Sequence, residues 1–249
     1  ALGMFITTFA GTKERYKPIK KETTAKKKTH PLKTIKILCR NKYFILITLA
    51  FAVIYTSLGL TGGSRIYYAK YVLGDEMLNS TMTMFNYIPT ILTIMLIPVF
   101  TKRFGKIKAL FVGFLFYAAG LVLEIAGPVN LPMIYTGLVL QGIGHAALYS
   151  CLFAIVGDVV DYSEWKDGIR EEGITYSVTS FGQKIGTGLG TAALGWILAA
   201  GHYDGTAAVQ SASAIFAIKG LFLYLPLVIT VIVLIIWYLF MGIDKIYPT

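Results

Sequence analysis

Cysteine is nearly absent from this chain. Its two cysteines, Cys39 in a basic stretch and Cys151 inside an apolar run, offer neither a disulfide framework nor metal-ligand spacing. Histidine is almost as scarce, with three in 249 residues. No serine–histidine or paired-carboxylate arrangement shares a common depth, and His145 has no acidic residue to orient it, so the residues argue against a membrane-embedded enzyme. An arginine-repeat helix and a filter-like loop are also missing, which removes the usual signs of a channel. The chain opens on Ala1 without the charged, apolar and cleavable regions of a signal peptide. It therefore reads as starting in the middle of a larger protein.

What is present is apolar. Hydrophobic residues form 55% of the chain, charged ones only 14%, and the mean hydropathy is +0.65, more than one water-soluble core of this length would hide. Six long apolar segments are expected to cross a membrane as helices: Tyr43 to Leu60, Met82 to Phe100, Ala109 to Ala126, Leu131 to Val156, Ile174 to Ala200 and Ile215 to Met241. Each is long enough to span with some tilt. Residues 1–10 look like the tail of an earlier span, 11–42 a basic cytoplasmic loop, 43–241 a six-helix transmembrane unit and 242–249 a cytoplasmic tail.

The net charge of +10 could suggest nucleic acid, but its distribution points to topology. Twelve of the 23 Lys and Arg lie between Lys13 and Lys42, ahead of the first apolar run, as the positive-inside rule expects of a cytoplasmic loop. The turn 101–108, TKRFGKIK, carries four more basic residues, whereas 127–130 and 201–213 carry none. That alternation puts both ends of the unit on the cytoplasmic side. Arg65 and Lys70 fall outside and run against the rule, as snorkelling or interfacial residues would.

The most informative stretch is GDVVDYSEWKDGIREEGITYSVTSFGQKIGTGLG, 157–190, a charged hinge leading into an apolar helix with a lysine inside it. A helix starting near Ile174 puts Lys184 roughly 15 Å along its axis, near the middle of a core about 30 Å thick. An ammonium there costs about 2.5 to 3.5 kcal/mol and calls for a partner. Glu124, just ahead of a Gly-Pro turn, is expected near a membrane face, so the partner is expected from a missing segment or a ligand. A structural ion pair is the plainer role of Lys184, and substrate or cation coupling the preferred one. On the same helix Ser177, Ser180, Phe181, Lys184 and Gly188 share one side. Gly182, Gly186 and Gly190 recur every four residues on another, where a neighbouring helix would approach closely.

Gln141, His145 and Tyr149 line one face of the fourth span. They read either as interhelical hydrogen bonding or as a polar stripe toward substrate, with the ring of Tyr149 suited to stack on a sugar. In the second span Asn79, Thr83, Asn86, Tyr87 and Thr90 share a face, and Pro89 and Pro98 can bend it. Around the hinge, Asp158 and Asp161 either belong to a solvated loop or form a gate with bases of an opposing half.

These residues, with GHYDG after the lysine helix and RIYYAKYVLGDE before it, resemble the glycoside-pentoside-hexuronide:cation symporters, the melibiose and glucuronide carriers of the major facilitator superfamily. The likeness covers essentially the whole chain as that family's C-terminal half, from the end of helix six through helix twelve. It implies an all-α membrane fold and symport of a sugar or glycoside with Na+ or H+ by alternating access. A non-sugar cargo, lipid or organic anion, is the alternative. By the resemblance Lys184 matches the helix-eleven lysine between sugar and cation, Tyr149 an aromatic beside the sugar, and Thr179, Ser180 and Gln183 the pocket-lining face. Asp158, Asp161 and Arg170 match charged positions of the cytoplasmic barrier. Tyr149 and Gln183 differ from the melibiose-type residues, which leaves the sugar open. The family's sugar-gripping carboxylates and sodium-binding acids belong to the N-terminal six-helix half. The expected partners are therefore a sugar or glycoside, membrane lipid and that missing half, with no cofactor beyond the coupling cation and no nucleic acid. The expected location is the bacterial cytoplasmic membrane.

Overall fold

A computed structural model describes residues 42–167, 172–207 and 209–240, together with Gly11. Those residues are helical apart from short connections. We label the helices α1 (Lys42–Tyr71), α2 (Leu78–Phe104), α3 (Lys106–Ala126), α4 (Leu131–Asp167) and α5 (Glu172–Ala200). The last, α6, is built from Ala212–Lys219, a π turn Gly220–Tyr224, and Leu225–Phe240. Five of the six, all but α5, are long and apolar enough to cross a membrane. Although α5 has 29 residues, its Ser, Thr, Gly, Gln and Lys dilute its apolar character, so the expectation of six apolar spans is met by five.

Two further expectations are corrected. The first helix does not stop at Leu60 but continues through Gly62 and Gly63 to Tyr71, so Arg65 lies inside a helix and is buried rather than snorkelling. The fourth continues through the first part of the charged hinge to Asp167. Val156, Val159 and Tyr162 explain that continuation. They bury an apolar stripe at helical spacing, and the Tyr162 ring meets Tyr43 of α1 edge-on, 4.9 Å between centroids. At about 1.5 Å per residue, 37 residues reach well past a ~30 Å hydrocarbon core.

Helix pairing follows the glycines, since lipid supplies no hydrophobic drive between helices and close backbone approach must. Along α5 a Cβ on Gly182 would stand 3.2 Å from the Thr48 carbonyl, and Gly186 and Gly190 are tighter still against Ala52 and Thr56 of α1. A Cβ on Gly59 would in turn stand 2.8 Å from the Thr187 carbonyl. The row expected from its four-residue repeat thus joins α5 to α1. A second seam joins α3 to α4, where Gly113 faces Gly144 and Gly120 faces Gly137. α2 lies against α4, and α6 bridges α1 and α3. The π turn in α6 precedes Pro226, where the Leu225 N–H reaches back to the Gly220 carbonyl. A proline has no N–H to continue the ladder, and the wider turn absorbs the interruption.

Candidate functional site

Four helices bring polar side chains together inside the bundle. Glu124 of α3 is fully buried and its Oε1 accepts a hydrogen bond of 2.7 Å from Gln141 Nε2 of α4. Gly137 makes room for it, since a Cβ there would stand 2.6 Å from Glu124 Cγ. Arg65 of α1, only 9% exposed, donates to the Thr83 hydroxyl of α2 at 3.3 Å. Asn86 of α2 donates to the Leu138 carbonyl at 3.2 Å, and its Oδ1 lies 3.3 Å from His145 Nδ1 of α4. Thr90 donates to the Gly142 carbonyl at 3.0 Å. The stripe Gln141, His145, Tyr149 is thus divided. Gln141 and His145 join helices, whereas Tyr149 is 38% exposed, its ring 5.8 Å from His145. Glu124 lies near the end of α3 and is enclosed by protein.

Beneath Tyr117 and His145 lies a cavity of about 20 Å³, lined also by Ser57 and Thr230. A space of that size admits about one water molecule.

α5 presents two contrasting sides. Thr179 is buried on the side facing α1, its hydroxyl turned back to the carbonyls of Thr175 and Tyr176 at 3.1 and 3.0 Å. Ser180 and Gln183 are half-buried, whereas Phe181 and Lys184 are exposed. Among the described residues Lys184 has no ion-pair partner, and no hydrogen bond or ring contact joins it to Tyr149. Lys106, at the start of α3, donates to both carboxylate oxygens of Asp158 on α4 at 2.6 and 2.9 Å. The partner of Asp158 in this structure is therefore a base of its own half. Asp161 is exposed one turn on, and Arg170 lies outside the described residues.

Sequence reasoning did not foresee Arg65 and Glu124 as buried members of one cluster, nor Asn86 as the partner of His145. A signal was present: amides and charges in otherwise apolar helices must find one another inside the bundle. The polar face of α2 with Asn86 and the four-residue spacing on α4 were both read, but not which of their residues meet.

The comparisons with known proteins agree with this architecture. The model of the family described as MFS/sugar transport protein matches residues 1–245. The chain belongs to that family. Similar proteins include the isoprimeverose transporter of Lactiplantibacillus pentosus, 32% identical over 100% of this chain and 51% of its own length. The glucuronide carrier protein homolog of Escherichia coli is 28% identical over 75% of this chain and 41% of its own length. An uncharacterized symporter of Bacillus subtilis, YjmB, is 27% identical over 77% and 42%. The chain spans about half the length of these relatives. This MFS chain is an integral, multi-pass membrane protein of a transporter family, not of an enzyme family. Its all-helical bundle is consistent with one half of an MFS fold.

Proposed function

We propose that the complete protein is a cation-coupled symporter of a sugar or glycoside, driven by Na+ or H+, and that this bundle is one of its two halves. The observation that carries the reading is the family match over nearly the whole chain, with a sugar transporter at 32% identity along all of it. Substrate and cation would bind between the halves and rock them together, because both ligands in place stabilise the occluded form. In that arrangement Tyr149 stacks on the sugar, with His145 behind it, and Thr179, Ser180 and Gln183 belong to the helix that lines the pocket. Lys184, exposed on the side of α5 away from α1, answers carboxylates of the other half when the site is empty. Asp158, Asp161 and Arg170 serve the cytoplasmic barrier. The protein would sit in a bacterial cytoplasmic membrane, in contact with its lipid, with both ends of this half on the cytoplasmic side.

An organic anion is the second reading. The buried guanidinium of Arg65 and a relative named for glucuronide, an anionic sugar, favour it. Counterflow into proteoliposomes by the full-length protein separates the two. Competition by neutral nitrophenyl glycosides with dependence on a Na+ or H+ gradient is the expected result. Competition by carboxylates and sulfonates alone would install the second reading, and no uptake of either class would overturn both.

A further inference from the structure

The charged pair inside the bundle is incompletely matched. Glu124 Oε2 and Arg65 Nε are both buried without a hydrogen-bond partner, and the two residues form no ion pair with each other. They are nevertheless within electrostatic reach. Among the described residues, the other titratable side chains in reach of Glu124 are Tyr68 on α1 and Tyr117 on α3 itself. α4 presents the neutral amide of Gln141 and, a turn further on, His145, which is in reach of Arg65.

An ionised carboxylate is costly to bury unless a cation and hydrogen bonds satisfy both oxygens, whereas an unpartnered neutral hydroxyl costs far less. One amide donor on Oε1 does not close that gap. We infer that Glu124 is a proton-binding site of this half, holding a proton in the packing seen here and releasing it when Arg65 closes on it. In that step the O–H bond on Oε2 breaks, the proton passes to a water molecule, and the guanidinium exchanges its contact with the Thr83 hydroxyl for the new carboxylate. Because α1 carries Arg65 and packs on α5 along the glycine row, the exchange is mechanically joined to the helix of Lys184. The inference concerns the coupling ion of the proposed symport. It places a proton site in this half rather than only in the other.

The test is infrared difference spectroscopy of the full-length protein in lipid, stepped in pH without substrate, comparing wild type with Glu124→Gln. The expected result is a protonated-carboxyl band that disappears as pH rises in wild type and is missing from the variant. Wild-type and E124Q spectra that superimpose at every step would overturn the inference. If E124Q does not fold, wild-type protein is treated with dicyclohexylcarbodiimide, which attacks protonated carboxyls in apolar surroundings, and the peptide bearing Glu124 is followed by mass spectrometry. Labelling that falls at least about fivefold as pH rises supports the site, and labelling that is missing or independent of pH overturns it. Neither measurement uses a cargo, so failure here leaves the symport reading to its counterflow assay.

Discussion

At the scale of single residues, the bundle interior depends on hydrogen bonds that apolar surroundings cannot replace. Gln141→Leu keeps the side-chain volume but strips Glu124 of the donor at 2.7 Å. Leaving that acceptor buried and unpaired is expected to cost about 1 to 3 kcal/mol, read as a lower melting temperature in detergent. A change within error would show that Glu124 finds another donor. The same cluster shows how far a sequence can be read. Gln141, His145 and Tyr149 could be placed on one face from spacing, because four residues make about one helical turn. Their division into interior and exposed positions could not, because it depends on where α2 and α3 lie. Arg65 was misplaced for a related reason: hydropathy falls at Gly62 and Gly63, and nothing local shows that packing carries the helix on to Tyr71.

At the scale of elements, the two glycine seams set which helices move together. Gly186 faces the backbone of Ala52, which cannot give way as a flexible side chain would. Gly186→Leu is expected to force α5 from α1 at a cost of about 1 to 3 kcal/mol or more, measured by thermal unfolding. Gly188, with nothing near its Cβ position, should accept alanine with little loss. The repeat on α5 was legible because small residues every fourth position mark one side of a helix whatever lies opposite. The seam between α3 and α4 was not foreseen, since Gly113, Gly120, Gly137 and Gly144 are spaced by seven within each helix and match only once the two are aligned. The Lys106–Asp158 pair ties the start of α3 to the last third of α4, with side chains 40% and 39% exposed. A double-mutant cycle with Lys106→Ala and Asp158→Asn should give a coupling of only about 0 to 1 kcal/mol, as water screens a pair this exposed. A coupling above about 3 kcal/mol would make it a fixed brace.

At the scale of the whole molecule, the pairing of α5 with α1 turns one side of α5 inward and leaves the side bearing Phe181 and Lys184 open. The all-α membrane fold was evident from apolar run lengths, and membership of a transport family from the hinge and lysine motif. The sequence pattern counted α5 as an apolar span, whereas the helix that carries the lysine is the one of the six without a stretch apolar enough to cross a membrane. That polarity suits a helix facing a partner more than one facing lipid. The account rests on Lys184 answering charge supplied from outside this half. Its most direct test is cation-driven glycoside uptake by the full-length protein with Lys184→Ala, beside cargo exchange without a gradient. The expected result is gradient-driven accumulation reduced by at least about tenfold while exchange persists. Coupled uptake equal to wild type would contradict it.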